Sequence, residues 1–219
     1  AVLRKADIVL VVDRSLSMAE ANKLVAAKTA ARAFVDATDL ALHSVGLVAF
    51  ANDVVVSAMN LSQDRTEIIQ AIDDVEVRPG TDIASAIDAA QALLSSDGRP
   101  GALPVIILLS DGAPNSPAPD PRAAAVVAAN FAKLAGTQIF AIGLGTDADG
   151  QLMQSIASSA QQYYYSPATS DLQAIYEQIA VVVGTSVVRD LQLDDDLYGS
   201  VTLVAGSSLP AAEIGASGA

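Results

Sequence analysis

Asp13, Ser15 and Ser17 place a carboxylate and two hydroxyl groups at alternate positions directly after the apolar run from Ile8 to Val12. An unbroken apolar run is typical of a strand that is buried on both faces of a parallel sheet. Ligands of such sheets bind beyond the carboxyl ends of the strands, where these three side chains would lie. Small oxygen ligands on one tight loop suit a hard cation such as Mg²⁺. Helix capping would explain only one of the three residues.

Two further oxygen-bearing residues occupy comparable positions. Thr81 follows Pro79-Gly80 at the predicted start of a helix, and Asp111 follows the apolar run from Leu103 to Ser110. Both loops would open at the same edge of a parallel sheet as the Asp13 loop. We therefore expect two carboxylates and three hydroxyls to converge in one crevice.

The elements that must position these residues alternate between strand and helix. Apolar runs predict strands at Ile8–Val12, Ser44–Ala51, Val54–Met59, Leu103–Ser110, Thr137–Gly143 and Gln162–Tyr165. Helical periodicity and capping residues predict helices at Met18–Leu40, within Ser62–Val75, and at Thr81–Ser95, Ala123–Ala135, Asp149–Ser158 and Ser170–Val183. The pattern predicts an α/β, Rossmann-like, doubly wound and mostly parallel sheet of about six strands with helices on both faces. The turn at Asn52-Asp53 makes the third strand an antiparallel edge.

The pattern changes after Gly184. Val187–Leu193 and Val201–Val204 alternate apolar and polar residues, which indicates half-buried antiparallel strands. Too few residues follow position 185 for an independent core. We predict a domain over residues 1–185 and a short β appendage over residues 186–219, which could also be the start of a further domain.

Composition excludes several functional classes. The 219 residues are 52% hydrophobic and 4% aromatic, and they carry a net charge of −13. Such a surface repels nucleic acid, and no apolar run is long enough to insert into a membrane. The absence of cysteine excludes disulfides, zinc–thiolate sites and thiol nucleophiles, although it does not decide the compartment. The alanine content and the excess of Arg over Lys suggest a bacterial source.

The residues of the predicted crevice follow a known order. Asp-x-Ser-x-Ser, then Thr, then Asp is matched by Asp13, Ser15, Ser17, Thr81 and Asp111. This order, together with the segments VGLVAF, GTDIASAIDAA and IILLSDG, resembles the von Willebrand factor type A family and its metal-ion-dependent adhesion site. The resemblance extends from Ala6 to about Gly184. It implies that Ser15 and Ser17 bind Mg²⁺ directly, Thr81 directly or through water, and Asp13 and Asp111 largely through water; Mn²⁺ or Ca²⁺ could substitute.

The resemblance implies a binding protein and not an enzyme. Neutral hydroxyl ligands leave the cation electrophilic, so that a Glu or Asp carboxylate of a protein partner can replace a bound water. Arg14, Leu16 and the loop Ala113–Asp120 would flank the metal and set specificity. We expect an extracellular or cell-surface location, with the cytoplasm as the other option, and the sequence leaves the oligomeric state open.

Two other functions compete with adhesion. Some members of the family act as intracellular adaptors beside ATPase motors in metal insertion or complex assembly. A metal-dependent hydrolase or phosphatase would need a general base, and the crevice offers none besides Asp13 and Asp111. A serine triad would need His43, the only histidine, which we place in a loop at the opposite edge of the sheet. Gly143–Ala148 fits a dinucleotide fingerprint formally, but Asp147 and Asp149 would repel a pyrophosphate.

Leu16 departs from the family pattern, which usually has Gly between the two serines. A leucine with positive φ would be strained by roughly 1–2 kcal/mol. With negative φ it would simply add an apolar rim beside the metal.

Overall fold

Six strands form one sheet in the computed structural model, which describes residues 4–52 and 58–185. The strands are β1 (Ala6–Asp13), β2 (Ser44–Phe50), β3 (Ala58–Ser62), β4 (Leu103–Ser110), β5 (Gln138–Leu144) and β6 (Tyr163–Ser166). Their order is β3-β2-β1-β4-β5-β6, and every neighbouring pair is parallel except β2 and β3. The predicted mostly parallel sheet with an antiparallel edge strand is confirmed.

Helices cover both faces of this sheet. They are α1 (Lys23–Ala37), α2 (Arg65–Asp73), α3 (Ile83–Asp97), α4 (Pro121–Leu134), α5 (Gly150–Ile156) and α6 (Leu172–Gly184). Short 3-10 turns lie at Leu16–Asn22, Ala160–Gln162 and Thr169–Asp171. The doubly wound α/β prediction is confirmed, and most predicted boundaries lie within a few residues of those observed.

The central strand β1 is buried on both sides because successive side chains point to opposite faces. Ile8 and Leu10 belong to the apolar core beneath α1, α2 and α6. Val9 and Val11 belong to the second core, which packs against α3, α4 and α5. The continuous apolar run therefore serves two cores, and the polar residues begin where the strand emerges from between them.

The first helix differs from its prediction. Instead of running from Met18 to Leu40, the chain forms a 3-10 turn from Leu16, and the α-helix begins at Lys23. Ala21 and Asn22 break the helix with φ values of 50° and 57°. Two consecutive left-handed residues cannot continue a right-handed helix. Hydrophobic periodicity, which continues through this segment, does not record that break.

The third strand extends further than predicted. Its described part, β3, spans Ala58–Ser62 and ends three residues beyond the predicted end at Met59, whereas residues 53–57 lie outside the described part of the chain. Its pairing with β2 shifts between Val45 and Leu47, which marks a β-bulge or irregularity. The following helix α2 is capped by Asp64, whose side chain accepts from the N–H groups of Thr66 and Glu67.

The predicted β appendage, with Val187–Leu193 and Val201–Val204, lies outside the described residues. The chain divides into two units, residues 1–188 and residues 189–219. Across residues 4–52 and 58–185, no helix combines the length and the apolar character needed to cross a membrane.

Candidate metal centre

Backbone hydrogen bonds hold three loops together at the carboxyl edge of the sheet. The Arg14 N–H donates to the Phe50 carbonyl at 2.9 Å, and the Arg14 carbonyl accepts from the Arg78 N–H at 2.7 Å. The loop that carries Thr81 is attached further by a bond of 3.2 Å from the Asn52 N–H to the Pro79 carbonyl. The segment before Thr81 is therefore fixed to the ends of both β1 and β2.

Asp13 is fully buried at the end of β1, and both of its oxygens are hydrogen bonded. Oδ1 accepts from the Ser15 N–H at 2.8 Å, and Oδ2 accepts from the Ser110 hydroxyl at 2.6 Å. Burial raises the pKa of Asp13 to about 6, although the bonds from Ser110 and Ser15 act in the opposite direction. A divalent cation bound nearby would favour the ionised form.

The two predicted serines connect this carboxylate to the second one. The Ser15 and Ser17 hydroxyl oxygens lie 2.9 Å apart, within hydrogen-bond distance. Ser17 Oγ donates to Asp111 Oδ1 at 2.8 Å, although the two residues are 94 positions apart. The structure thus places Asp13, Ser15, Ser17 and Asp111 in one continuous hydrogen-bonded chain.

Thr81 is hydrogen bonded to Asn115, which lies in the loop that follows Asp111. The Thr81 N–H donates to Asn115 Oδ1, and the Asn115 N–H donates to the Thr81 carbonyl, each at 3.0 Å. Both contacts use the backbone of Thr81, which leaves its hydroxyl out of them, and the residue is buried. Gly80, directly before Thr81, lets this loop pass close to Asn52. It has φ of +90°, and a Cβ there would collide with the Asn52 side chain.

Lys23 is a member of the site that the sequence interpretation missed. Its Nζ donates to Asp111 Oδ2 at 2.6 Å, and the Asp111 side chain is completely buried. Ser110 and Asn115 were missed as well. Ser110 lies beside Asp111 and Asn115 in the polar loop that follows it, which are sequence signals for these two, whereas nothing in the sequence pattern indicates Lys23.

The flanking residues fall into two groups. Leu16 is 58% exposed, and the described non-glycine residues with positive φ are Ala21 and Asn22, so Leu16 is an unstrained apolar rim. Arg14 is only 3% exposed, so its predicted role on the partner-facing surface is wrong; the loop contacts made by its backbone bury it. His43 lies at the far edge of the sheet, where its Nδ1 accepts from the Ala6 N–H at 3.1 Å.

The donor set fits a hard divalent cation. Among the described residues, no three His, Cys, Asp or Glu side chains are grouped to hold a metal. The oxygen atoms present at this edge of the sheet are those of two carboxylates and of hydroxyl groups. A donor set made of oxygen alone suits Mg²⁺ better than the soft or imidazole-preferring metals.

Solved structures share this fold at low sequence identity. The pilus adhesin SpaC of Lactobacillus rhamnosus GG matches with a TM-score of 0.72 and 21% identity over 82% of this chain, which spans only 30% of SpaC. The von Willebrand factor domain of the type V pili tip protein Mfa5 of Porphyromonas gingivalis matches with a TM-score of 0.75 and 16% identity over 92% of this chain and 99% of that one. Proximal thread matrix protein 1 of the mussel byssus, with a zinc-occupied MIDAS motif, matches with a TM-score of 0.69 and 21% identity over 81% of this chain and 47% of that one.

Sequence comparison gives a more specific result. None of the curated protein sequences is a significant match to this chain. The sequence model of the von Willebrand factor type A domain, in contrast, matches residues 7–178. That span includes β2 to β6, all of β1 except Ala6, and all five residues of the predicted metal site. Because the match extends over most of its length, the chain belongs to the von Willebrand factor type A domain family.

Proposed function

We propose that this protein is a non-enzymatic adhesion domain that binds Mg²⁺ through Asp13, Ser15, Ser17, Thr81 and Asp111 and captures an acidic residue of a protein partner. The observation that carries the proposal is a series of hydrogen bonds between the two carboxylates: the Ser15 N–H donates to Asp13, the Ser15 and Ser17 hydroxyls contact each other, and the Ser17 hydroxyl donates to Asp111. These are small oxygen ligands, and they are held in place by backbone contacts.

The chemistry follows from the mixture of ligands. Serine and threonine hydroxyls donate lone pairs without neutralising the cation, so a bound Mg²⁺ would keep much of its positive charge. Mg²⁺ also retains several waters, and a Glu or Asp side chain of the partner would replace one of them. Leu16 and the loop Ala113–Asp120 would contact the partner around this carboxylate.

The solved structures that share the fold support an adhesive, metal-binding function. SpaC is a pilus adhesin, Mfa5 is a pilus tip protein, and the mussel protein holds zinc in its MIDAS motif. Two of the three come from bacteria, which agrees with the proposed bacterial source. We extend the proposal to an extracellular or cell-surface location and to Mn²⁺ or Ca²⁺ as substitutes for Mg²⁺. No specific observation favours the adaptor or the hydrolase, and Asp13, the buried carboxylate at the centre, has both oxygens engaged.

Calorimetric titration tests the metal site directly. We expect one Mg²⁺ or Mn²⁺ to bind per wild-type chain and Thr81→Val to weaken binding about tenfold or more, since one oxygen ligand is lost. The variant keeps the backbone contacts with Asn115, so its circular dichroism should not change. Thr29→Val, the same substitution at an exposed position of α1, is the matched control. A wild-type protein that binds neither metal would refute the proposal.

Peptide selection tests the partner chemistry. Random peptides selected on the wild-type protein in Mg²⁺ and eluted with a chelator should be enriched in Glu or Asp. Replacing that residue by Gln or Asn should abolish binding, and Thr81→Val should need about tenfold more Mg²⁺ or still more to capture the same peptides. Selected peptides that bind without an acidic residue, or equally well in chelator, would contradict the carboxylate-capture proposal.

A further inference from the structure

The ammonium group of Lys23 lies within the predicted metal site. Lys23 is the first residue of α1, and its Nζ is 2.6 Å from Asp111 Oδ2. The Lys23 side chain is 11% exposed, whereas the Asp111 side chain is fully buried. A Cβ on Gly145 would lie 3.5 Å from Lys23 Cε and 3.7 Å from Nζ, so the loop after β5 packs against the lysine.

This ion pair differs from several exposed ion pairs on the surface of the protein. Arg32–Asp73, Arg65–Asp36 and Arg78–Glu76 all join partners that are about one third exposed or more. Exposed pairs of that kind contribute little to stability. Lys23–Asp111 is instead largely shielded from water, where each charge strongly depends on the other.

The pair also changes the charge available to a cation. Asp13 and Asp111 supply two carboxylates, and Lys23 supplies one positive charge beside the second. The other oxygen of Asp111 accepts from Ser17, so both oxygens of this carboxylate have partners. A divalent cation that approaches Asp111 must therefore either share it with an ammonium or displace that ammonium.

We propose that Lys23 is a tethered counter-ion of Asp111, which holds this carboxylate in position before a metal binds and competes with the divalent cation for it. This inference rests on the proposed metal-binding function of the same site. Repulsion between the ammonium and the incoming cation lowers metal affinity. The lysine stem is flexible enough to swing its ammonium toward solvent when a metal takes its place. Lys23 therefore determines how much Mg²⁺ is needed to load the site.

The test compares Lys23→Gln with Lys28→Gln. The glutamine side chain of the first variant retains a hydrogen-bond donor for Asp111 and removes only the charge. Lys28 lies on the same helix and donates to the Asp73 carbonyl, so its variant makes the same change in net charge away from the site. Both variants and the wild type are titrated with Mg²⁺ and with Mn²⁺ by calorimetry, and their thermal unfolding is followed in EDTA.

We expect Lys23→Gln to bind Mg²⁺ about tenfold more tightly or better, and Lys28→Gln to remain within about twofold of wild type. In EDTA, Lys23→Gln should unfold at a lower temperature than Lys28→Gln, and saturating Mg²⁺ should remove that difference. Equal or weaker Mg²⁺ binding by Lys23→Gln than by the wild type would overturn the inference while leaving the proposed metal site intact. If the wild-type protein binds no metal, the proposed function fails and the inference fails with it.

A second measurement remains informative if Lys23→Gln folds poorly. In the wild-type protein, reductive methylation of lysines is followed by mass spectrometry in EDTA and in saturating Mg²⁺. Displacement of the ammonium from Asp111 predicts that labelling of Lys23 rises several-fold with Mg²⁺, whereas labelling of Lys28 stays constant. Unchanged labelling of Lys23 on saturation with metal would refute the competition.

Discussion

Buried polar residues lie at both ends of the central strand and have different roles there. At the carboxyl end, Asp13 and its neighbours form the candidate metal centre. At the amino end, Asp7 pairs with Arg99 at 2.7 Å, and Arg99 also donates to the carbonyls of Ala6 and Leu42. His43 accepts the Ala6 N–H at the same edge. The carboxyl end of the strand therefore carries the candidate metal centre, and the amino end carries an ion pair that joins separate segments of the chain.

Arg99→Met should destabilise the protein by roughly 3–5 kcal/mol, because it leaves the buried Asp7 carboxylate without its counter-charge. Arg32→Met, which breaks the exposed pair with Asp73, should cost under about 1 kcal/mol. Urea unfolding in the presence of Mg²⁺ measures both free energies. Similar losses of unfolding free energy in the two variants would show that the buried Asp7–Arg99 pair contributes no more to stability than an exposed pair.

His43 should make the protein sensitive to acid. Burial lowers the pKa of His43 below its usual 6.5, and its Nδ1 must remain unprotonated to accept from Ala6. Below about pH 6.5 the unfolded chain therefore binds a proton more readily than the folded chain, so the free energy of unfolding falls. His43→Asn keeps an acceptor without titrating.

The difference in unfolding free energy between the wild type and His43→Asn, measured from pH 7.5 to pH 5, isolates the His43 contribution. We expect the wild type to lose stability relative to the variant as the pH falls. A constant difference over that range would contradict the assignment.

Hydrogen bonds attach the loops that carry the site to the ends of the strands and to one another. The segment before Thr81 is hydrogen bonded to the ends of β1 and β2, and Thr81 itself is bonded to Asn115 in the loop after β4. A substitution in one of these segments should therefore change the metal affinity of the site even when it removes no ligand. Gly80 is the position where this can be tested.

Gly80→Ala should destabilise the fold by about 1–2 kcal/mol from its positive φ alone and should also weaken Mg²⁺ binding by displacing Thr81. Gly112→Ala is the matched control, since it lies next to Asp111 and a Cβ there would meet nothing within 4 Å. Chemical unfolding and metal titration measure the two effects. Equal unfolding free energies and equal Mg²⁺ affinities of the two alanine variants would contradict the requirement for glycine at position 80.

At the scale of the whole molecule, the two apolar cores are built from residues between Ala6 and Val183. Each strand and helix that the structure describes in these cores lies within the predicted domain of residues 1–185. We predict that a chain ending at Thr185 folds alone, with a cooperative thermal transition within about 2–4 °C of that of the full chain. Calorimetry checks this, and a broad or lost transition would show that residues 186–219 are needed for the fold.

The sequence by itself determined the sheet, its two-sided burial and the place of the candidate site. Strands such as Ile8–Val12 record their burial in an unbroken apolar run, and polar residues directly after a strand indicate the binding edge. Asp13, Ser15 and Ser17 could be recognised because their spacing is local. Thr81 and Asp111 could be added because parallel topology brings strand ends together.

The tertiary structure alone decided which side chains meet. The pairing of Lys23 with Asp111, of Ser110 with Asp13 and of Asn115 with Thr81 depends on side-chain directions across separate loops, which periodicity does not encode. The burial of Arg14 and the left-handed residues before α1 likewise result from how the loops close over the edge of the sheet. Asp13, Ser15 and Ser17 identify the site locally, whereas the ion pair that we infer to control its metal affinity exists only in three dimensions.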